Sequence, residues 1–310
     1  MSRLISAVSP HFFTKRTTRT IMLDVIIALL PAAVASVIFF GARSLLIIGS
    51  CIAACVISEF LFEKLCKREN TAGDLSAVVT GILLAFNLPV SIPVWQAVLG
   101  SIVAIIVVKQ LFGGIGQNFA NPAITARIML MVSFSSTMTH WTAPVTSPDA
   151  VTSATPLAAA AKGLTDSMPS YLELFLGDHA GCLGETSALA LLIGGLYLII
   201  RRVITWHTPV MFIGTVALMS FFCGKDVLYQ VLSGGLMLGA IFMATDYSTT
   251  PHTKWGKVIF GVSCGLITVL IRFWGNLPEG VSFSILLMNI LTPYISRLTR
   301  TKPLTGGAQA

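Results

Sequence analysis

The sequence predicts an all-α polytopic membrane protein with about ten transmembrane helices, built as two five-helix halves inserted in opposite senses. Three observations predict this. Of 310 residues, 55% are hydrophobic and only 11% charged, against about 25% charged in soluble domains. The apolar residues are gathered in ten runs of roughly membrane-spanning length. The lysines and arginines fall almost entirely on one face of the layout those runs imply. A soluble enzyme, a disordered chain and a disulfide scaffold are excluded by the composition. The net charge of +7 signals orientation, with no nucleic-acid partner implied.

Residues 1–20 form a cytoplasmic N-terminal segment. Lys15, Arg16 and Arg19 lead into an apolar stretch with no small-residue cleavage site, so the first span is expected to stay in the bilayer. The spans are 21–40, 44–62, 73–88, 93–111, 120–136, 185–200, 208–223, 228–244, 257–275 and 280–296. With the N-terminus inside, the cytoplasmic side holds Arg3, Lys15, Arg16, Arg19, Lys64, Lys67, Arg68, Lys109, Arg201, Arg202, Lys254, Lys257, Arg297, Arg300 and Lys302. The other side holds Arg43, Lys162 and Lys225. One missed span would invert every later loop and destroy that split. Both termini are therefore cytoplasmic, with the tail at 297–310.

A single long loop, 137–184, faces outward and separates a first half, 21–136, from a second, 185–296. Five spans per half make the halves inverted, the arrangement of inverted-repeat transporters. The third and eighth spans occupy matching places. Both are short and glycine-containing, and they end in Asn87-Leu88-Pro89 and Thr245-Asp246-Tyr247.

Within the outer loop, Thr155 is an N-cap, Pro156 suits the first helical position, helix formers follow and Gly163 is a stop. The Thr155 hydroxyl then lies where free backbone N–H groups and the positive dipole end converge, a place that stabilises an anion by about 0.3–1 kcal/mol. The same residues also read simply as a capped surface helix. Gly113, Gly114 and Gly116 allow a tight turn, Asn121-Pro122 starts a helix, and Asp246 with its neighbouring hydroxyls can cap a turn or bind a cation. Arg127 and Arg272 lie inside spans, where a charge costs about 2.5–3.5 kcal/mol, so each is expected to face protein, water or an anion. For Arg127 the anion read from the residues themselves is a carboxylate. Asp24, Glu59 and Asp74 lie near predicted inner ends, at the membrane interface or on an ion path.

Three segments carry a resemblance. Asp149-Ala150-Val151-Thr152-Ser153-Ala154-Thr155 is similar to the D-G-x-[ST]-x-A-T signature at which a flavin transferase joins FMN to threonine, with Ala150 where Gly is usual. The segment from Phe112 to Ala123 matches a glycine-rich turn and N-P-A helix opening, and Met243 to Pro251 matches an A-T-D…T-P segment. Together with ten spans they resemble the RnfD/NqrB family, membrane subunits of Rnf electron-transport complexes and of sodium-pumping NADH:quinone reductases. The resemblance implies a translocase subunit of the bacterial inner membrane that passes electrons through covalent FMN, linking ferredoxin and NAD chemistry to Na+ or H+ movement. It implies Thr155 as the phosphoryl acceptor, with Ser153, Thr152 and Arg127 around the flavin. It further implies non-covalent riboflavin within the helices, and as partners the other membrane, periplasmic and cytoplasmic Rnf subunits, the flavin transferase and the lipid bilayer.

Cys51, Cys55, Cys66, Cys182, Cys223 and Cys264 lack iron–sulfur spacing. Cys182 and Cys223 are both near the outer face, as a disulfide or as free thiols. The scattered histidines do not suggest haem, no metal site is expected, and no P-loop or dinucleotide fingerprint appears. Nucleotide chemistry therefore belongs to another chain. A cofactor-free inverted-repeat channel or solute transporter is the alternative, and a structural scaffold for redox partners a third reading.

Overall fold

The first long apolar run folds as helix α1 (Thr18–Phe40), opened by a capping box in which Thr17 and Thr20 bond each other's backbone N–H. Gly41, at φ +72°, is the whole connection to α2 (Ala42–Leu65). That value is open to glycine without steric cost, so the two helices return on each other at once. The structure is a computed structural model and describes residues 16–68, 71–142, 144, 155–161, 169–275 and 280–300.

After a 3-10 turn (Ala72–Asp74) come α3 (Ser76–Phe86) and α4 (Val94–Ile102), which runs on as a π-helix (Val103–Gln110). Then come α5 (Pro122–Ser133) and the short α6 (Ser135–Met138), α7 (Pro156–Ala161) and α8 (Tyr171–Leu176). The second half holds α9 (Ala188–Ile200), α10 (His207–Phe222), α11 (Val227–Leu232) and α12 (Leu236–Leu238). The last continues as a π-helix (Gly239–Met243), followed by α13 (Lys254–Trp274) and α14 (Val281–Leu298). No strand occurs among the described residues.

Each predicted span contains a helix. Four are long and apolar enough to cross a membrane unaided: α1, α2, α13 and α14. The others are shorter. At 1.5 Å per residue, α3 rises only about 16 Å, roughly half the hydrocarbon thickness. It ends at Asn87, which is buried. The eighth span departs from a continuous helix, being broken at Ser233-Gly234-Gly235 between α11 and α12.

The halves interlock. α1 packs on α9, and α5 on α14, while α2 lies against α3 and α4 and α10 against α11 and α13. At one end the Asp24 carboxylate of α1 meets Arg201 at 3.2 Å and accepts from Tyr197 at 3.0 Å, joining the first helix of each half. Phe86, Phe212, Phe260, Leu84 and Ile105 are completely enclosed.

Candidate functional site

Two polar regions stand out inside the apolar bundle, one toward Asp246 and one toward Thr155. The first surrounds a cavity of about 480 Å3, bounded by α1, α3, the π-helical end of α4, the start of α5 and the Thr245–Ser248 turn. This falls within the roughly 300–1,000 Å3 of small-molecule sites. Ile21, Met22, Val79, Leu83 and Phe242 supply apolar walls, and Thr80, Lys109, Asn118, Asn121 and Asp246 supply polar groups.

Local sequence explains how this wall is built. Gly113, Gly114 and Gly116 adopt φ of +123°, +98° and +83°, giving the tight turn their spacing predicts. Asn121 then caps α5, accepting from the N–H groups of Ala123 and Ile124 at 3.1 and 3.3 Å, with Pro122 at the first position. Its amide also donates to the Met243 carbonyl at 3.4 Å, tying the fifth span to the eighth. Asp246 accepts from Ser248 and Thr249, each at 3.1 Å. Burial nevertheless holds its carboxyl above the ordinary range, with those bonds pulling the other way.

Lys109 joins the cavity wall to a buried polar cluster. Its ammonium contacts Glu59 at 2.6 Å and donates to Ser76 at 2.5 Å. Gln110 donates to Glu59 at 2.8 Å and to Glu63 at 3.2 Å, and Glu63 accepts from Thr71. Lys109 and Glu59 are both buried. Glu59, read as interfacial or on an ion path, and Lys109, read as cytoplasmic, meet here as a buried pair. The π-helical turn carries Lys109 inward, where its charge is matched by a carboxylate and hydrogen bonds, the condition for retaining buried ions.

The second region is sealed. Thr155 caps α7, its Oγ1 accepting from Ala158 N at 3.2 Å, and is only 5% exposed. The six-residue α7 is held down by Tyr229, whose hydroxyl donates to the Pro156 carbonyl at 3.2 Å. The cap uses a lone pair of the Thr155 oxygen. Esterification removes the hydroxyl proton and leaves that lone pair, so the residue fits a phosphoester linkage. Thr152, Ser153 and Gly163 lie outside the described residues.

Arg127 is also buried. It contacts Glu185 at 2.6 Å and donates to Asn87 Oδ1 at 2.7 Å, with Cys182 Sγ at 3.6 Å. Of the two roles read for it, the described contacts display the carboxylate pairing. Arg272, expected like Arg127 to face protein, water or an anion, is buried against protein. Its guanidinium donates to the Gln230 carbonyl at 2.6 Å and the Ser233 carbonyl at 3.3 Å. At this end burial also pushes the His179 imidazole down to about 4, so it adds no positive charge at neutral pH. All six cysteines are free thiols, including Cys182 and Cys223.

Comparison with known proteins identifies the family. The family model of NQR2, RnfD and RnfE matches residues 5–305. A protein of Acetobacterium woodii, described as the D subunit of the Na(+)-translocating ferredoxin:NAD(+) oxidoreductase complex, is 50% identical, covering 95% of this chain and 93% of its own. A Clostridium ljungdahlii protein described as the proton-translocating counterpart is 41% identical, covering 94% and 93%. The D subunit of an ion-translocating oxidoreductase complex of Stutzerimonas stutzeri is 36% identical, covering 91% and 90%.

Proposed function

The chain belongs to the NQR2, RnfD, RnfE family, and from that membership we propose that it is the D subunit of an ion-translocating ferredoxin:NAD oxidoreductase complex, carrying FMN on Thr155. The observation that carries the flavin assignment is Thr155 itself. It closes the Asp149–Thr155 motif and stands at the cap of α7, with its oxygen accepting rather than donating. When bound, the flavin supplies one- and two-electron redox chemistry. The chain's own part is to tether it, to fix the α7 segment through Tyr229 and Gly234, and to exclude water from the bundle beneath. The cavity beside Asp246 is suited in size and lining to a second, non-covalent flavin such as riboflavin, with apolar walls for the ring and Asn118, Asn121 and Thr80 for polar edges.

Ten crossings with an inverted 5+5 repeat accord with the packing. Exchanging first-half helices for their second-half counterparts maps the α1–α9 and α5–α14 contacts onto themselves, and the α2–α4 contact onto α10–α13. In this layout both termini are cytoplasmic at the bacterial inner membrane, and loop 137–184 is periplasmic, where a flavin transferase reaches Thr155. Other subunits of the complex are the electron partners. One relative is described as moving Na+ and another as moving protons, so the proposal names cation coupling without choosing the ion.

In-gel fluorescence of the denatured chain tests the reading. The wild-type band fluoresces under ultraviolet light and Thr155→Val does not; a dark wild-type band from a host with an active flavin transferase favours the channel reading. Topology is tested with Thr165→Cys in a Cys223→Ser background. A membrane-impermeant thiol reagent labels it in cells permeabilised only at the outer membrane, and labelling that requires inner-membrane rupture contradicts the layout.

A further inference from the structure

We infer that flavin is joined to Thr155 while α7 stands away from the bundle, and that α7 docks afterwards under a catch made by Tyr229 and Leu157. The inference rests on the covalent attachment proposed above and gives that attachment its place in the order of assembly. The acceptor is covered. Thr155 is 5% exposed and Leu157 4%, and Pro156 between them is buried. Thr155 Oγ1 is turned back on its own helix, accepting from Ala158 N at 3.2 Å. Phosphoryl transfer sets the attacking and leaving oxygens roughly in line across the phosphorus. A transferase must therefore bring a flavin nucleotide, with the groups that bind it, against an oxygen that the docked chain covers.

Few groups hold α7 in its seat. Among the described residues it has no broad packing face against another helix. The Tyr229 hydroxyl, on a side chain 5% exposed, donates to the Pro156 carbonyl at 3.2 Å. Leu157 fills the space that Gly234 leaves, since a Cβ there would stand 2.6 Å from Leu157 Cδ1. Gly234, at φ +68°, follows directly on the α11 segment that carries Tyr229. Both contacts thus come from one short stretch of the eighth span. A segment fixed through so few groups opens locally at far less cost than the bundle unfolds. Opening uncovers the Thr155 oxygen and frees it from the Ala158 N–H. In the transfer, Oγ1 bonds to the flavin phosphate of a flavin dinucleotide and the bond from that phosphorus to the second phosphate breaks. The nucleoside monophosphate leaves, the hydroxyl proton passes to a general base of the transferase, and no electrons are gained or lost. On docking, the ester oxygen still offers a lone pair to Ala158 N–H, so the seat accepts the product.

The test uses complex containing the full-length chain, purified from a host without flavin transferase. Transferase and flavin dinucleotide are then added, and peptide mass follows FMN on Thr155 with time. If attachment waits on opening, its rate follows the open population. Tyr229→Phe removes one hydrogen bond and is expected to speed attachment about threefold or more. Leu157→Ala empties the seat and is expected to speed it by about tenfold or more. Tyr197→Phe deletes a hydroxyl that serves Asp24, and leaves the rate at the wild-type value. Thr155→Cys reads the catch without any flavin. A small thiol reagent, followed at the peptide, reacts slowly at position 155 and faster when Tyr229→Phe or Leu157→Ala is added. Tyr229→Phe removes a single oxygen atom, so it decides alone where Leu157→Ala fails to assemble. Attachment rates unmoved by these substitutions, with flavin attached, overturn the proposal and mean that Thr155 is modified in its docked place. A wild-type peptide without flavin even from a host with active transferase overturns the attachment itself. The labelling at position 155 tells that failure apart from a failure of the catch.

Discussion

The third and eighth spans are both short and glycine-containing and both end in a polar break, yet the two ends do opposite things. Asn87 closes α3 with its amide donating to the Leu83 carbonyl at 2.6 Å and its oxygen bound by Arg127, in a region packed tightly around the Arg127–Glu185 pair. Asp246 ends the eighth span at the edge of an open cavity, with a half-buried carboxylate. Both spans end in a polar break, and local side chains decide whether that break is sealed or left open. In the first half the α-helical ladder is disturbed in the fourth span, where the π-helix brings Lys109 inward. In the second it is disturbed in the eighth, where Gly234-Gly235 admits Leu157, Arg272 and Glu185.

The largest expected effect comes from breaking the sealed end. Glu185→Ala leaves Arg127 without the carboxylate at 2.6 Å and is expected to cost about 3–5 kcal/mol, whereas Arg127→Met with Glu185→Met recovers most of that loss. Thermal stability of the purified chain in detergent measures both. Equal destabilisation by the single and double substitutions contradicts the paired-charge account.

The open end is tested by filling it. Thr80 lines the cavity, and Thr80→Phe is expected to reduce flavin released on denaturation at least tenfold, about 1.4 kcal/mol of affinity, while covalent flavin on Thr155 is unchanged. Loss of both together would show that the two regions are not separate sites.

The smallest effect lies where the two halves meet. Asn121→Ala removes the α5 cap and the bond to the Met243 carbonyl, and is expected to cost about 1–2 kcal/mol. Thermal unfolding checks this, and Asn121→Asp, which keeps the cap but not the donor, separates the two contributions.

The parts of this molecule legible in the sequence are those set by neighbours along the chain. The helices follow from apolar runs, the Asn121 and Thr155 caps from one residue and the proline after it, and the turn at Gly113–Gly116 from residues that reach positive φ. The charge pairings were not legible, because Lys109 meets Glu59 50 residues away and Arg127 meets Glu185 58 residues away. Nothing in local sequence says which distant carboxylate will match a buried cation. Glu185 sits at the edge of a predicted span, with nothing beside it in sequence to mark its partner. That Leu157 and Arg272 both come close to Gly234 is likewise a fact of packing.

The central claim is that the sealed end is a flavin-bearing end. The most direct measurement is the mass of the proteolytic peptide containing Thr155, from complex purified out of a host with its flavin transferase, with fragmentation to locate any modification. The account predicts the peptide mass increased by one FMN less water, lost on phosphodiester cleavage, with the site at Thr155 and not at Thr152 or Ser153. An unmodified peptide in a fully assembled complex would contradict it.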